Sequence, residues 1–243
     1  MTRPDLDRRG MSARLSDRDW ASILDTCSEV VEIPARTLVS RRDEPLDRSL
    51  LLVEGLMSRH VPGPYRDRRE MVALEVPGDF VDLHSFPTGR LDHDVSTVDD
   101  CRLAVFPHSA LRKLVHIQPE TGIALWSMTV TDSAIHRYWS FRVGALPAMG
   151  RMANFIAEME LRLRLAGLAH DGRFSLPLTQ SDMGEACGMS AVHINRVLRD
   201  LREDGCCSIQ SGWIEIHDLE RLHRIGHFEP TFLLGEQDYI VGR

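Results

Sequence analysis

The segment SAVHINRVLRD, residues 190–200, has two faces that one helix must place in different surroundings. Apolar residues recur there at the three- and four-residue spacing that forms one stripe along a helix. They are Ile194, Val197, Leu198 and, just after the segment, Leu201. A second stripe with the same spacing is mostly polar and consists of Val192, Asn195, Arg196 and Arg199. The first stripe predicts packing against a core, whereas the second must face water or a binding partner.

The residues around this helix predict a helix-turn-helix followed by a hairpin. A T-x-x-D pattern beginning at Thr179 is typical of a helix start, and Gly188 suits the left-handed residue that ends a short helix. Ser190 is the expected N-cap of the second helix. Residues 207–216, CSIQSGWIEI, indicate two strands around a turn that contains glycine. This order is typical of a winged helix-turn-helix, whose second helix enters the major groove of DNA.

The outward stripe carries groups that can read DNA. An arginine such as Arg196 can bond both major-groove acceptors of guanine, and Ala191 or Val192 can contact a thymine methyl group. Ser190, together with the backbone N–H groups of the helix start, suits a phosphate. The alternative is an amphipathic helix whose Asn and Arg residues only face water. The two caps, the preceding helix and the following hairpin favour DNA.

Charge restricts how such a module can bind DNA. The chain has a formal net charge of −7. Residues 173–225 contain six Lys or Arg residues against eight Asp or Glu residues, a formal charge of −2. DNA contact must therefore come from a local arrangement of basic groups, with affinity aided by dimerisation.

In the remainder of the chain, the residue pattern changes near residue 107 from strand-like to helical. Before it, a helix is predicted over 15–29, and short β-rich runs then alternate with Gly, Pro and Asp, as in an antiparallel barrel or sandwich. The runs are 30–33, 37–40, 49–55, 56–61, 70–76, 79–83, 94–98 and 101–106. After it, the spacing predicts a long helix over 119–143, a break at 144–147 and a second helix over 147–168.

Several protein classes lack support in the sequence. We find no nucleophile elbow, phosphate-binding loop, dinucleotide fingerprint or H-E-x-x-H motif, so we expect no enzyme. Neither a signal peptide nor a membrane span is evident, which predicts a cytoplasmic protein without a membrane partner. The five cysteines include no C-x-x-C pair, which argues against disulfide, zinc and iron–sulfur frameworks. We expect packing thiols, with Cys206 and Cys207 as the alternative redox-sensitive pair.

Residues 178–205 closely resemble the DNA-binding motif of the Crp–Fnr family of bacterial transcription regulators. Residues 50–55 and 77–83 resemble segments of that family's cyclic-nucleotide-type barrel, and 119–143 resembles its dimerisation helix. The resemblance implies a homodimer that binds a palindromic promoter site in double-stranded DNA and recruits RNA polymerase. The implied fold class is α+β, with an N-terminal helix and effector-type antiparallel jelly-roll β-barrel, a long dimerisation helix and a C-terminal winged helix-turn-helix domain. These three parts are expected at 1–118, 119–145 and 146–243.

The resemblance also assigns roles to residues. Arg196 matches the family's guanine-reading arginine, and Ser190, His193, Thr179 and Ser181 match phosphate-contacting positions. Ala191 and Val192 depart from the best-known members, where the position of Val192 carries a base-reading glutamate. We therefore expect a different half-site. The predicted DNA-binding residues are Thr179, Ser181, Ser190, Ala191, Val192, His193, Asn195, Arg196 and Arg199.

In the cyclic-AMP-binding members, an Arg–Ser pair and a nearby Glu hold the phosphate, and the matching segment here is 79–95. Leu91 and Asp92 stand where the Arg and Ser are expected, and Arg90 is adjacent. A carboxylate there repels phosphate, so we expect no dependence on cyclic AMP. The candidate effector pocket comprises Asp82, Leu83, His84, Arg90, Leu91 and Asp92. The alternative function is a sensor of a cyclic nucleotide, another small ligand or redox state, acting mainly through the barrel.

His and Asp residues cluster in the same segment and would suit Zn²⁺ or Fe²⁺. They are Asp82, His84, Asp92, His93 and Asp94. Their spacing matches no defined metal motif, which favours a polar turn at the barrel rim. No metal or cofactor is predicted, and the effector is unknown. The aromatic residues Trp126, Tyr138, Trp139 and Phe141 are interpreted as packing rather than as a ligand site.

Overall fold

The computed structural model describes residues 6, 10–63 and 69–233. The chain divides between Val130 and Thr131 into two compact units. Because the division falls inside the predicted dimerisation helix, the three-part domain scheme stays a prediction. Within the described ranges, no helix combines the length and apolar character needed to cross a membrane.

The N-terminal unit is built from two antiparallel sheets and flanking helices. Its helices are a 3₁₀ helix at Gly10–Arg14, α1 (Asp17–Leu24), α2 (Ser85–Thr88), α3 (His108–Ile117) and the first part of α4 (Pro119–Ala145). Its strands are β1 (Glu29–Ile33), β2 (Leu38–Ser40), β3 (Arg48–Glu54), β4 (Met57–Pro62), β5 (Arg69–Glu75), β6 (Asp94–Thr97) and β7 (Cys101–Pro107). The strand orders are β1-β7-β3 and β2-β6-β4-β5. The described strands fit a jelly-roll-like fold, as predicted, although they do not join into a closed barrel.

Strand β3 lies between two apolar clusters, which explains its unbroken Leu50–Leu51–Leu52 run. Successive side chains of a strand point to opposite faces. Leu50 and Leu52 belong to one buried cluster, which also contains Leu91. Leu51 belongs to the other, which includes Trp20 of α1 and residues of α3 and α4. A strand that is covered on both faces needs apolar residues at every position, not at alternate ones.

The strand predicted over 79–83 is wrong, and two carboxylates of the segment accept hydrogen bonds from backbone amides outside it. Asp79 Oδ2 accepts a hydrogen bond from the Val76 amide at 2.9 Å, and Asp82 Oδ1 accepts one from the Leu50 amide at 2.7 Å. The backbone pairs with β3 at one isolated bridge, between Leu51 and Phe80, and does not continue into a regular ladder. Side-chain bonds of this kind compete with a regular ladder.

The C-terminal unit contains the end of α4 and the predicted helix-turn-helix and hairpin. Its elements are α5 (Ala148–Leu165), β8 (Ala169–His170), β9 (Arg173–Ser175), α6 (Gln180–Cys187), α7 (Ala191–Glu203), β10 (Cys207–Gln210), β11 (Trp213–Ile216) and α8 (Leu219–Gly226). Its sheet has the order β10-β11-β9-β8. The long helix ends at Ala145 and the next begins at Ala148, which confirms the predicted break. Helix α8 was not predicted.

Helix α5 is the centre of this unit. All residues from Met152 to Leu163 are buried, including the charged Glu158, Glu160 and Arg162. Helices α6, α7 and α8 and strands β8 and β9 pack around α5. Asn154 Nδ2 donates to the Gly226 carbonyl at 2.8 Å, which fixes α8 closely against α5. The helix-turn-helix therefore rests on a helix that has almost no solvent-facing side.

Candidate nucleic-acid interface

Helix α6 begins with a complete capping box. Thr179 Oγ1 accepts a hydrogen bond from the Asp182 amide at 3.1 Å, and Asp182 Oδ2 accepts one from the Thr179 amide at 2.9 Å. This confirms the T-x-x-D prediction. Each hydroxyl has one donor hydrogen and two acceptor positions, so capping through an acceptor leaves the Thr179 O–H able to donate to a phosphate. Ser181, in the first turn of α6, is exposed.

The turn between α6 and α7 depends on two glycines. Gly188 ends α6 with a φ of 61°, in the left-handed region that glycine adopts without strain. Gly184 lies where the turn folds back onto α6, and a Cβ there would lie 2.6 Å from the Met189 carbonyl oxygen. The Met189 amide donates to the Gly184 carbonyl at 2.8 Å. The two helices can approach this closely because position 184 has no side chain.

Helix α7 has the two predicted faces. Ser190 is its N-cap, and its hydroxyl accepts from the His193 amide at 3.4 Å. On the inner face, Ile194, Val197 and Leu201 are buried, and Leu198 is half-buried. The apolar stripe is therefore confirmed as a packing surface.

The outer face of α7 is open to solvent. Four of its predicted DNA-binding side chains are exposed, namely His193, Asn195, Arg196 and Arg199. The Val192 side chain is 80% exposed, which is unusual for an apolar residue. Ala191 begins the helix at the position expected from the sequence. The second stripe thus lies on a surface that makes little contact with the core.

The two outward arginines have different surroundings. Arg199 Nε lies 3.8 Å from Glu203 Oε1 and 3.9 Å from Asp200 Oδ1. Arg196 forms no ion pair with any described residue, so its guanidinium is the better placed of the two to meet a base. Elsewhere in the module, Arg221 donates twice to Asp204, at 2.5 and 2.6 Å. These hydrogen bonds hold the pKa of the Asp204 carboxyl below its ordinary value.

The hairpin after α7 forms the wing, and it lies beside an arginine of β9 that was not predicted from the sequence to be part of the site. Ser211 and Gly212 form a two-residue turn with φ values of 51° and 79°, as hairpin turns of the I′ type require. The exposed Trp213 follows, and the Arg173 guanidinium lies 4.9 Å from the centre of its ring. The pairing of β9 with β11 brings these residues together. That pairing is a long-range contact with no local sequence signal.

The candidate effector residues lie in different surroundings. Asp82, Leu83 and Leu91 are buried, and the two leucines belong to different apolar clusters. Arg90 is exposed. His84 lies close to Asp92. His84 and Leu83 together line a groove of about 530 Å³ beside the first turns of α4. The assignment of these residues to an effector stays a prediction.

Comparison with known proteins agrees with this geometry. Residues 150–225 match the Crp-like helix-turn-helix domain. The transcriptional activator protein FnrL of Cereibacter sphaeroides is 27% identical over 146 residues, covering 59% of this chain and 58% of FnrL. The nitrogen fixation regulation protein FixK of Azorhizobium caulinodans is 24% identical over 160 residues, covering 65% of this chain and 63% of FixK. This chain thus spans about three fifths of the length of these curated relatives.

Solved structures share the fold. FixK2 from Bradyrhizobium japonicum superposes with a TM-score of 0.74 at 24% identity, over 81% of this chain and 96% of FixK2. A CRP-family transcriptional regulator from Thermus thermophilus gives a TM-score of 0.66 at 14% identity, over 81% of this chain and 96% of that regulator. The chain carries a Crp-like helix-turn-helix domain in a fold that it shares with regulators of the Crp/Fnr family.

Proposed function

We propose that this protein is a sequence-specific transcription regulator of the Crp–Fnr type, not an enzyme, and that it binds a palindromic promoter site as a homodimer and acts on RNA polymerase. One observation carries the proposal. Helix α7 is held by buried residues on one side, while Arg196 and its neighbours extend from the other into solvent. A recognition helix needs this separation, because base contacts must not compete with packing.

The side chains around the outer face of α7 offer two kinds of DNA contact, one to bases and one to phosphates. Arg196 reads guanine through two hydrogen bonds, and Val192 supplies an apolar contact for a thymine methyl group. The hydroxyls of Thr179 and Ser190 donate to phosphates at the two helix starts, where backbone N–H groups also favour an anion. Arg173, stacked on Trp213, adds a positive charge at the wing. Phosphate contacts of this kind fix the register but carry no sequence information.

The first half of α4 supports a homodimer. Ile123, Trp126 and Val130 are 56%, 67% and 49% exposed and follow a helical spacing of three and four residues. An apolar stripe of this width on a long helix is typical of a coiled-coil seam. Ile123 and Trp126 also line the groove that contains His84, so a second copy would cover it. A two-fold DNA site requires two recognition helices about 34 Å apart, which a single chain with one such helix does not supply.

We further propose that DNA binding does not need cyclic AMP. Leu91 is buried in an apolar cluster, and Asp92 presents an exposed carboxylate where the resemblance expects a phosphate-binding serine. A carboxylate repels the phosphate that an Arg–Ser pair would hold. Calorimetric titration of the purified protein with cyclic AMP should therefore show no binding, and saturable binding would refute this part.

The DNA proposal is tested by selecting sites from random duplexes and then comparing variants on the enriched sequence. Arg196→Ala should weaken specific binding by about 1–3 kcal/mol per half-site. Arg202→Ala is the matched control, because Arg202 is an exposed arginine in the last turn of the same helix. That control should retain discrimination between the selected and a scrambled duplex. A selection without an enriched sequence, or wild-type affinity of Arg196→Ala, would refute the proposal.

The dimer is tested by analytical ultracentrifugation of Trp126→Glu, which places a charge within the proposed seam. We expect a shift from dimer to monomer. Lys113→Glu introduces the same side chain on the exposed side of α3 and should leave the dimer intact. A wild-type monomer at micromolar concentration, or a Trp126→Glu variant that remains dimeric, contradicts the seam.

A further inference from the structure

Three potential metal ligands converge in the N-terminal unit. His84, Asp92 and His93 each offer one donor atom, and these atoms all lie within 4.8 Å of one another. The chain reverses between them, because α2 ends at Gly89 with a left-handed φ of 70°. Thr88 Oγ1 donates to the carbonyl oxygens of His84 and Arg90, at 3.1 and 2.9 Å. These hydrogen bonds stabilise the turn, which brings residues 92 and 93 close to His84.

Backbone bonds fix this turn to the rest of the unit. The Leu46 amide donates to the Gly89 carbonyl at 2.8 Å, and the Asp43 amide donates to the Leu91 carbonyl at 2.9 Å. The Leu91 side chain is buried in an apolar cluster immediately before the two ligands. The loop therefore presents Asp92 and His93 from an anchored backbone.

The three side chains differ in how they are held. His93 is only 6% exposed, whereas the side chain of Asp92 is 91% exposed. His93 Nδ1 lies 2.7 Å from Asp92 Oδ1, and the rings of His84 and His93 have centroids 5.1 Å apart. His93 is consequently the most deeply buried member, and His84 and Asp92 lie nearer the surface. Ligands of a tetrahedral zinc ion lie roughly 3.4 Å apart when each bond is about 2.1 Å, which small rotations of the outer two can reach.

We propose that His84, Asp92 and His93 form a binding site for a divalent first-row transition-metal ion of the Zn²⁺ type. Two imidazoles and one carboxylate suit such ions, whereas Mg²⁺ and Ca²⁺ require mainly oxygen ligands. Three protein ligands leave a fourth position for water or another ligand.

The structure also explains why the spacing of these residues in the sequence predicts a polar turn and not a metal site. Two members of the five-residue set serve the backbone elsewhere. Asp82 accepts from the Leu50 amide, and Asp94 Oδ1 accepts from the Arg42 amide at 2.8 Å. Of the remaining three, His84 precedes α2, whereas Asp92 and His93 follow it. Their spacing therefore matches no short metal motif. Folding, rather than spacing, assembles the site.

The test uses untagged full-length protein that has been treated with a chelator and dialysed. Zn²⁺ is titrated by calorimetry, with elemental analysis for stoichiometry, and Co²⁺ serves as a spectroscopic probe. We expect one ion per chain, with affinity lowered in His84→Ala and in Asp92→Asn by at least the roughly 10- to 100-fold that loss of a residue supporting a ligand costs. His116→Ala, an exposed histidine on α3, is the control and should bind like the wild type.

Circular dichroism checks that each variant folds, and both test positions lie outside the buried core. The proposal is overturned if the wild type binds no Zn²⁺, or if either variant keeps wild-type affinity. A thiolate-to-cobalt charge-transfer band would also overturn it, because the ion would then be bound by cysteine.

Discussion

Arg142, near the end of α4, and Glu158, in the middle of α5, form an ion pair in which both side chains are fully buried. The same carboxylate accepts from Arg162 Nη1 at 3.0 Å and from Trp139 Nε1 at 3.2 Å. Arg142 Nε also donates to Asn154 Oδ1 at 2.9 Å. Within the C-terminal unit, a single buried network therefore connects the last turns of the long helix to the helix on which the helix-turn-helix rests.

Replacing Glu158 by Gln should destabilise this unit strongly. Breaking a buried pair leaves an uncompensated charge, in this case Arg142, and typically costs about 3–5 kcal/mol. The change is measured as the free energy of unfolding in urea. The control is Glu54→Gln, which removes the partner of Arg102 in an exposed pair and should cost less than about 1 kcal/mol. Equal effects of the two substitutions would contradict the assigned role of the network.

Glu158 should also make the unit sensitive to acid. Burial by itself would raise the pKa of this carboxyl, but Arg142 and Arg162 outweigh it and hold the pKa below the ordinary value. The stability that the network contributes is therefore complete above the unfolded-state pKa and is lost as the pH falls through the lower folded-state pKa. Wild-type protein should lose more stability on acidification than Glu158→Gln does.

Asp82 should give the opposite pH dependence. Its burial raises the pKa of the carboxyl to about 7 from an ordinary value of 3.8, despite the hydrogen bond from the Leu50 amide. The folded state thus keeps a proton that the unfolded state releases, and stability should fall as the pH rises from about 4 to about 7. A difference of this size corresponds to about 4 kcal/mol. Asp82→Asn keeps the acceptor for Leu50 and should remove most of this loss. Parallel pH profiles of wild type and variant would refute the argument.

Gly184 should tolerate no side chain. In Gly184→Ala, the new Cβ would approach the Met189 carbonyl oxygen to 2.6 Å, and crowding of this kind costs about 1–3 kcal/mol. The turn before α7 must shift, so DNA affinity should fall together with the melting temperature. Gly144→Ala is the control, because no described atom beyond its chain neighbours and the backbone of its own helix lies within 4 Å of the added Cβ. That helical substitution should instead stabilise the protein, by up to about 1 kcal/mol. A Gly184→Ala variant as stable as the wild type would contradict the close packing.

The cysteines should differ sharply in reactivity. Burial raises the pKa of Cys206 to about 11 and that of Cys207 to about 12. Because the thiolate is the reactive form, neither should be alkylated in the folded protein. Cys27 is the one cysteine with partial exposure, although burial raises its pKa as well. Mass spectrometry after iodoacetamide treatment should find label on Cys27 alone, and on all five only in denaturant. Native labelling of Cys206 or Cys207 would restore the redox alternative.

Local chemistry explains most of what could be predicted from sequence. Capping residues, Gly188 and the helical spacing located α6 and α7, and Pro119 correctly marked the start of α4. Each of these signals acts within a few residues. The two faces of α7 were also correct, since amphipathic spacing fixes which side is buried.

The features that could not be predicted from the sequence share one physical cause, because each depends on contacts between distant segments. The segment 79–83 has the composition of a strand, but the hydrogen bond that the Leu50 amide donates to Asp82 spans 32 positions. The stacking of Arg173 on Trp213 depends on sheet pairing. The grouping of His84 with Asp92 depends on the reversal at Gly89. None of these partners is near enough in the chain to leave a periodic signal.

The two faces of α7 have an evolutionary consequence. Residues such as Ile194 and Leu201 carry the packing, whereas Val192 and Arg196 make little contact with the core. Substitutions on the outer side can therefore change the surface that α7 presents to a partner while the fold keeps its stability. Helix α5, buried from Met152 to Leu163, has no such freedom. Under the proposed function, related sequences would change their preferred DNA sites through a few outward positions, whereas the supporting helix would tolerate few changes.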